Sequence, residues 1–89
     1  MHSGERVPLY MDIHQELRAV TPEAIRKGHE IDVALQQQYG VSFRKYWVDS
    51  ETGHLFCLVE APSKEAVYSV HYAAHKLVPN EIYAVTEGE

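Results

Sequence analysis

Val41-Ser-Phe-Arg-Lys-Tyr-Trp-Val-Asp-Ser-Glu-Thr-Gly-His-Leu-Phe-Cys-Leu-Val-Glu-Ala61 is the stretch that decides the fold. Val41 to Asp49 is rich in aromatic and β-branched residues. His54 to Ala61 is apolar on both faces through Leu55, Phe56, Cys57, Leu58 and Val59. Asp49-Ser-Glu-Thr-Gly53 between them is turn chemistry, so the whole stretch predicts a β-hairpin.

Upstream of the hairpin, Thr21-Pro22-Glu23 opens a helix. It offers a hydroxyl cap, a proline at the first helical position and an acid in the first turn. Gly40 ends that helix as a left-handed closing residue would. Ala24, Gly28, Ile31 and Leu35 keep a helical period, with Ile25 and Asp32 beside them. Gly28 costs the helix up to ~1 kcal/mol against Ala, so close packing against another element is expected there. Earlier still, Leu9 to His14 alternates with period two: Leu9, Met11 and Ile13 to one side, Tyr10, Asp12 and His14 to the other. Downstream, Pro62-Ser63 stops the third strand and caps a second helix. The apolar stripe of that helix is Ala66, Val67, Val70, Ala73, Ala74 and Leu77. Pro79-Asn80 breaks it before a last strand, Glu81 to Val85.

The order strand, helix, strand, strand, helix, strand predicts an α+β fold of the ferredoxin-like βαββαβ type, an antiparallel sheet with both helices on one face. One domain is expected over residues 9–86, with an N-terminal tail over 1–8 and a C-terminal tail over 87–89. If Leu9, Met11 and Ile13 face the helices, then Tyr10, Asp12 and His14 lie on the open sheet face. Glu60 marks the polar side of the third strand, which puts Phe56 and Leu58 on the open face with it. An exposed patch of large apolar residues marks an interface, so a twofold homodimer is expected.

Composition narrows the function. The chain has 89 residues, and a domain of that size buries only about 60% of its unfolded surface, which oligomerisation would help to offset. Its formal net charge is −5 and its Lys and Arg are scattered, so neither nucleic acid nor an anionic membrane is an expected partner. No apolar run approaches the ~20 residues of a membrane span. The first eight residues lack the apolar core of a signal peptide, and a single cysteine allows no internal disulfide. A cytoplasmic location is the expectation.

Six histidines are many for this length. His71 and His75 lie four apart on the second helix and point the same way, from the shoulder of its apolar stripe. His29 holds the matching shoulder of the first helix. Imidazoles so placed suit nickel, zinc or copper. Tyr72 stands where a zinc protease helix would carry its acid, so that chemistry is excluded. Further ligands would come from His14, His29, Glu60, Asp12 or a partner chain. Asp12 with His14 is also an acid–base pair, and Tyr10 and Cys57 would help to line a pocket between two copies. Cys57, between Phe56 and Leu58, reads as buried and inert.

The pattern Tyr46-Trp-Val-Asp49, Phe56-Cys-Leu-Val-Glu-Ala-Pro62, Val70-His71, Ala74-His75 and Glu81-Ile-Tyr83 follows Pro8-Leu-Tyr-Met-Asp-Ile-His14. Over Pro8 to Val85 it resembles a family of small bacterial proteins of unknown function described as nickel-binding. The resemblance implies a ferredoxin-like dimer that holds nickel through histidines and carboxylates, for sequestration or sensing. The positions that match are His14, His29, Cys57, Glu60, His71 and His75. The expected reading is a non-enzymatic metal-binding module in which His71 and His75 are core ligands, completed by His14, His29 or Glu60. Its alternative is a small-molecule or catalytic site in a dimer cavity, built on Asp12, His14 and the tyrosines.

Overall fold

The computed structural model describes residues 7–15, 20–75 and 78–88, with the side chain of residue 75 excepted. The elements are β1 (Leu9–His14), α1 (Pro22–Tyr39), β2 (Ser42–Val48), β3 (Leu55–Glu60), α2 (Lys64–His75) and β4 (Glu81–Val85). The strands form one four-stranded antiparallel sheet in the order β2-β3-β1-β4. The fold is the expected ferredoxin-like α+β arrangement. Leu77 lies outside the described residues, as do most of the first tail and residue 89.

Local chemistry sets the boundaries. Thr21 Oγ1 accepts the backbone N–H of Ala24 at 3.1 Å, which satisfies one of the open donors of the first turn of α1. At the other end Gly40 adopts φ 71°, its N–H donates to Gln37 O at 3.2 Å, and the Val41 N–H donates to Gln36 O at 2.9 Å. This is a Schellman closure, and it delivers Val41 into the core. In the hairpin turn Asp49 accepts from the Glu51 N–H and the Thr52 hydroxyl, which hold its carboxyl below the usual range. Gly53 closes the turn at φ 79°.

The core lies between the helices and one face of the sheet. Val41, Val59, Ala61, Val67 and Val70 are its buried centre, and Tyr10, Leu35, Tyr39, Phe43, Ala66 and Ile82 pack around it. Val59 pairs with Tyr10 across β1 and β3, and Cys57 pairs with Asp12. The helix-facing residues of β1 are therefore Tyr10, Asp12 and His14. This corrects the expected orientation of β1: Asp12 and His14 are buried, while Leu9 and Met11 are half-buried on the open face with Leu58, Trp47 and Val85. The polar residues of the strand turn inward because they have partners there. Phe56, Leu58 and Glu60 do lie on the open face.

The inner face of α1 is rotated from the expected stripe. Ile25 and Asp32 are its buried residues, while Ile31 is 44% exposed. On β2 the register slips between Phe43 and Lys45, a bulge at Arg44. Phe43 pairs with Val59 and Tyr46 with Cys57, so both face the helices although they are three residues apart.

Candidate metal centre

Asp12 is the hub of a buried polar cluster. β1 supplies Asp12 and His14, two apart and hence on one side of the strand. β3 supplies Cys57 directly across the ladder from Asp12. His71 reaches down from the centre of the inner face of α2, next to Val67 and Val70 in the buried set. Relative exposure is 0% for Asp12, 3% for His14 and Cys57 and 1% for His71.

His71 Nε2 lies 3.0 Å from Asp12 Oδ2, and His14 Nε2 lies 3.1 Å from Asp12 Oδ1. On the far side of its ring, His71 Nδ1 lies 3.4 Å from Oδ1 of Asp32, a buried residue of α1. The two imidazoles meet edge to face with centroids 4.8 Å apart, and Phe43 approaches His71 at 5.4 Å. One donor atom each from Asp12, His14, Cys57 and His71 forms a group whose members all lie within 4.8 Å of one another.

Burial by itself drives His71 toward the neutral form. The hydrogen bonds and charges of Asp12 and Asp32 outweigh it and lift the imidazole to about 9. Burial favours the protonated acid at Asp12, but the contacts of His14 and His71 hold its carboxyl below the usual range. Burial first, and then the negative charge of Asp12 and Asp32, push the Cys57 thiol far up. At neutral pH these side chains alone make an imidazolium bridging two carboxylates beside a thiol.

The donors fit a divalent transition ion. Imidazole nitrogen, carboxylate oxygen and thiolate sulfur are ligands that zinc, copper and nickel take. Two nitrogen or oxygen donors at ~2.1 Å from a common ion stand about 3.0–3.4 Å apart. The 3.0 and 3.1 Å separations, one at each carboxylate oxygen of Asp12, fall in that range, and the group as a whole, spread over up to 4.8 Å, would draw in slightly around an ion. Asp32 is the outer partner that a ligating histidine needs, because it holds the Nδ1 proton and leaves Nε2 for the ion.

The structure thus brings together Asp12, His14, Cys57 and His71 from the residues singled out in the sequence. Tyr10 packs against the hydrophobic core. His29 stands between Phe43 and Tyr46, with ring centroids at 5.9 and 4.7 Å, in the wall of a neighbouring cavity. Glu60 is on the opposite sheet face, where it accepts from Arg44 Nη1 at 3.0 Å. His75 is the last residue of α2, and its side chain lies outside the described residues. Asp32 is the partner that reading the sequence for metal ligands passes over. Its signal was an acid seven residues beyond Ile25 and three before Leu35, on the inward side of the helix.

Fold and cluster define a ferredoxin-like domain carrying a buried candidate site for a transition metal. The chain belongs to the family described as nickel responsive protein, SCO4226-like, whose model matches residues 10–85. It is similar to a solved structure, the crystal structure of SCO4226 from Streptomyces coelicolor A3(2). The identity is 32% and the TM-score 0.83, over 91% of this chain and 99% of that one. No curated protein gives a significant match. No helix among the described residues is long and apolar enough to cross a membrane.

Proposed function

We propose that this protein binds a divalent transition ion, nickel ahead of zinc or copper, at Asp12, His14, Cys57 and His71. Its role is non-enzymatic, sequestering or sensing the ion. The observation that carries the reading is the convergence of four buried donor atoms from three elements within 4.8 Å. The family's description as nickel responsive supports nickel as the ion. General affinity order would place copper above nickel, so the preference belongs to site geometry and supply.

The chemistry follows from the protons. Asp32 keeps the proton on His71 Nδ1, and binding displaces two protons, the one on Nε2 and the one on the Cys57 thiol. The ion's two positive charges then sit among the buried carboxylates of Asp12 and Asp32 and the thiolate. Affinity therefore rises with pH, through about 9 for His71 and beyond it for the thiol, which burial holds up. A site buried this deeply exchanges its ion through opening of the fold, which suits retention or response better than turnover. Two copies pair through the open sheet face, where Trp47 and Tyr83 remain 46% and 49% exposed.

Isothermal titration with Ni²⁺, Zn²⁺ and Cu²⁺ tests the reading on wild type, Asp12→Asn and His71→Ala. Micromolar or tighter nickel binding is expected in wild type, lost in both variants, and weaker at about pH 6 than at about pH 8. Undiminished binding by the variants, or none by wild type, overturns it.

A further inference from the structure

Beside the cluster, between α1 and the sheet, lies a cavity of about 130 Å³. Val20, Ile25 and Leu55 give it apolar walls, and Gly28 of α1 lines it without a side chain of its own. Ala24, exposed on α1, stands at its rim. His14, Cys57 and His71 of the candidate metal centre also line it, with Asp32 beside them, so the cavity opens directly onto that centre. An engineered apolar cavity of about 150 Å³ takes up benzene, so this one has room for a single ring.

One polar atom distinguishes it from a simple packing void. His29 lines the cavity, its ring is braced by Phe43 and Tyr46, and its Nδ1 is buried with no hydrogen-bond partner among the described residues. A buried ring nitrogen in an apolar wall favours a ligand that can meet it. A hydroxyl suits it in either tautomer, since it both donates and accepts. The Asp32 carboxylate and the His71 imidazolium in the wall offset one another, which with the apolar walls leaves no net charge to hold an ion and favours a neutral molecule.

We propose that this cavity is a binding site for a small neutral molecule of single-ring size bearing one hydroxyl, with the ring against Gly28 and Leu55 and the hydroxyl on His29 Nδ1. The site shares His14, Cys57 and His71 with the candidate metal centre but needs no ion, and its test is run in chelator so that its failure and the failure of metal binding are separate results. The full chain is titrated calorimetrically with phenol and with benzene. Saturable phenol binding is expected, with a Kd on the order of 1 mM or below, about tenfold tighter than benzene. His29→Phe brings the two probes to equal affinity. Gly28→Leu fills the cavity and abolishes binding while keeping a cooperative thermal transition. Should Gly28→Leu fail to fold, Ala24→Leu at the rim replaces it with the same expected loss. No saturable phenol binding by wild type, equal affinity for the two probes in wild type, or unchanged binding by the folded cavity-filling variant overturns the proposal.

Discussion

On β1 the two faces of the sheet divide polar and apolar side chains against the usual rule. The covered face carries Asp12 and His14 from β1, both buried. The uncovered face carries Leu9 and Met11 of the same strand, with Leu58 and Trp47 beside them. Hydrophobic burial alone would turn β1 over, since it is worth about 25 cal/mol per Å² of apolar surface. The strand keeps its orientation because its buried carboxylate, Asp12, meets a partner from another element: His71 on α2, backed by Asp32 on α1. An inward-facing acid and an outward-facing leucine on one strand thus carry two different messages, one of a site and the other of an interface.

Removing the hub should break the contrast most strongly. Asp12→Ala leaves His14 and His71 buried without the carboxylate they share, and losing one member of such a set costs about 3–5 kcal/mol. Urea unfolding of the ion-free protein should show that loss. A midpoint within error of wild type would mean that the cluster is not coupled as described.

The next effect is one of pH. His71 is raised in the folded state, to about 9 from the ordinary value of 6.5. Its contribution is therefore fully present below about pH 6.5 and is lost as pH rises through 9. Ion-free stability should fall by roughly 3 kcal/mol across that interval. Asp12 acts in the opposite sense: its lowered carboxyl stabilises above its unfolded value of 3.8, and that contribution fades as pH falls through its folded value. Denaturation series at stepped pH, with and without nickel, would measure both. In the nickel series the alkaline fall should disappear, because the ion has already taken the place of the Nε2 proton.

The open face should respond differently. Leu58→Lys places a charge in the middle of the patch and is expected to shift sedimentation toward a single copy of the chain. Nickel affinity should stay within about twofold of wild type, since Leu58 lies across the sheet from the cluster. A monomeric wild type would show that the face serves something other than self-association. The smallest effect belongs to the pair on that face. Arg44→Ala removes an ion pair whose partners keep 53% and 33% side-chain exposure, and it should change stability by less than about 1 kcal/mol. Set beside the loss at Asp12, this measures how much burial adds to a charge pair.

Much of the fold was legible in the sequence because its punctuation is local. Thr21-Pro22, Gly40, Asp49 to Gly53 and Pro62-Ser63 each act on their own neighbours, and each ends or starts an element where the structure has one. The orientation of β1 was not legible by the same means. Period two shows that Asp12 and His14 share a side, but which side depends on His71, 59 residues further on from Asp12. The helix pair His71 and His75 drew attention by spacing, whereas His71 joins the cluster through residues of two strands and another helix. Cys57 illustrates the same limit: its burial was readable from Phe56 and Leu58, while its place opposite Asp12 is a matter of strand register.

The bulge at Arg44 has a consequence in the currency of insertions and deletions. Phe43 and Tyr46 would point to opposite sides of a regular strand, and the extra residue is what sets both rings against His29. A relative one residue shorter at this point would keep its hairpin and its turn. It would lose the bulge, and on the regular strand that remains the two rings would stand two apart, still on the helix side, with Tyr46 still opposite Cys57. Length between Phe43 and Tyr46 is therefore tied to the bulge: a chain of this length needs the irregular residue to keep both rings on His29, and one a residue shorter keeps them there with a regular ladder.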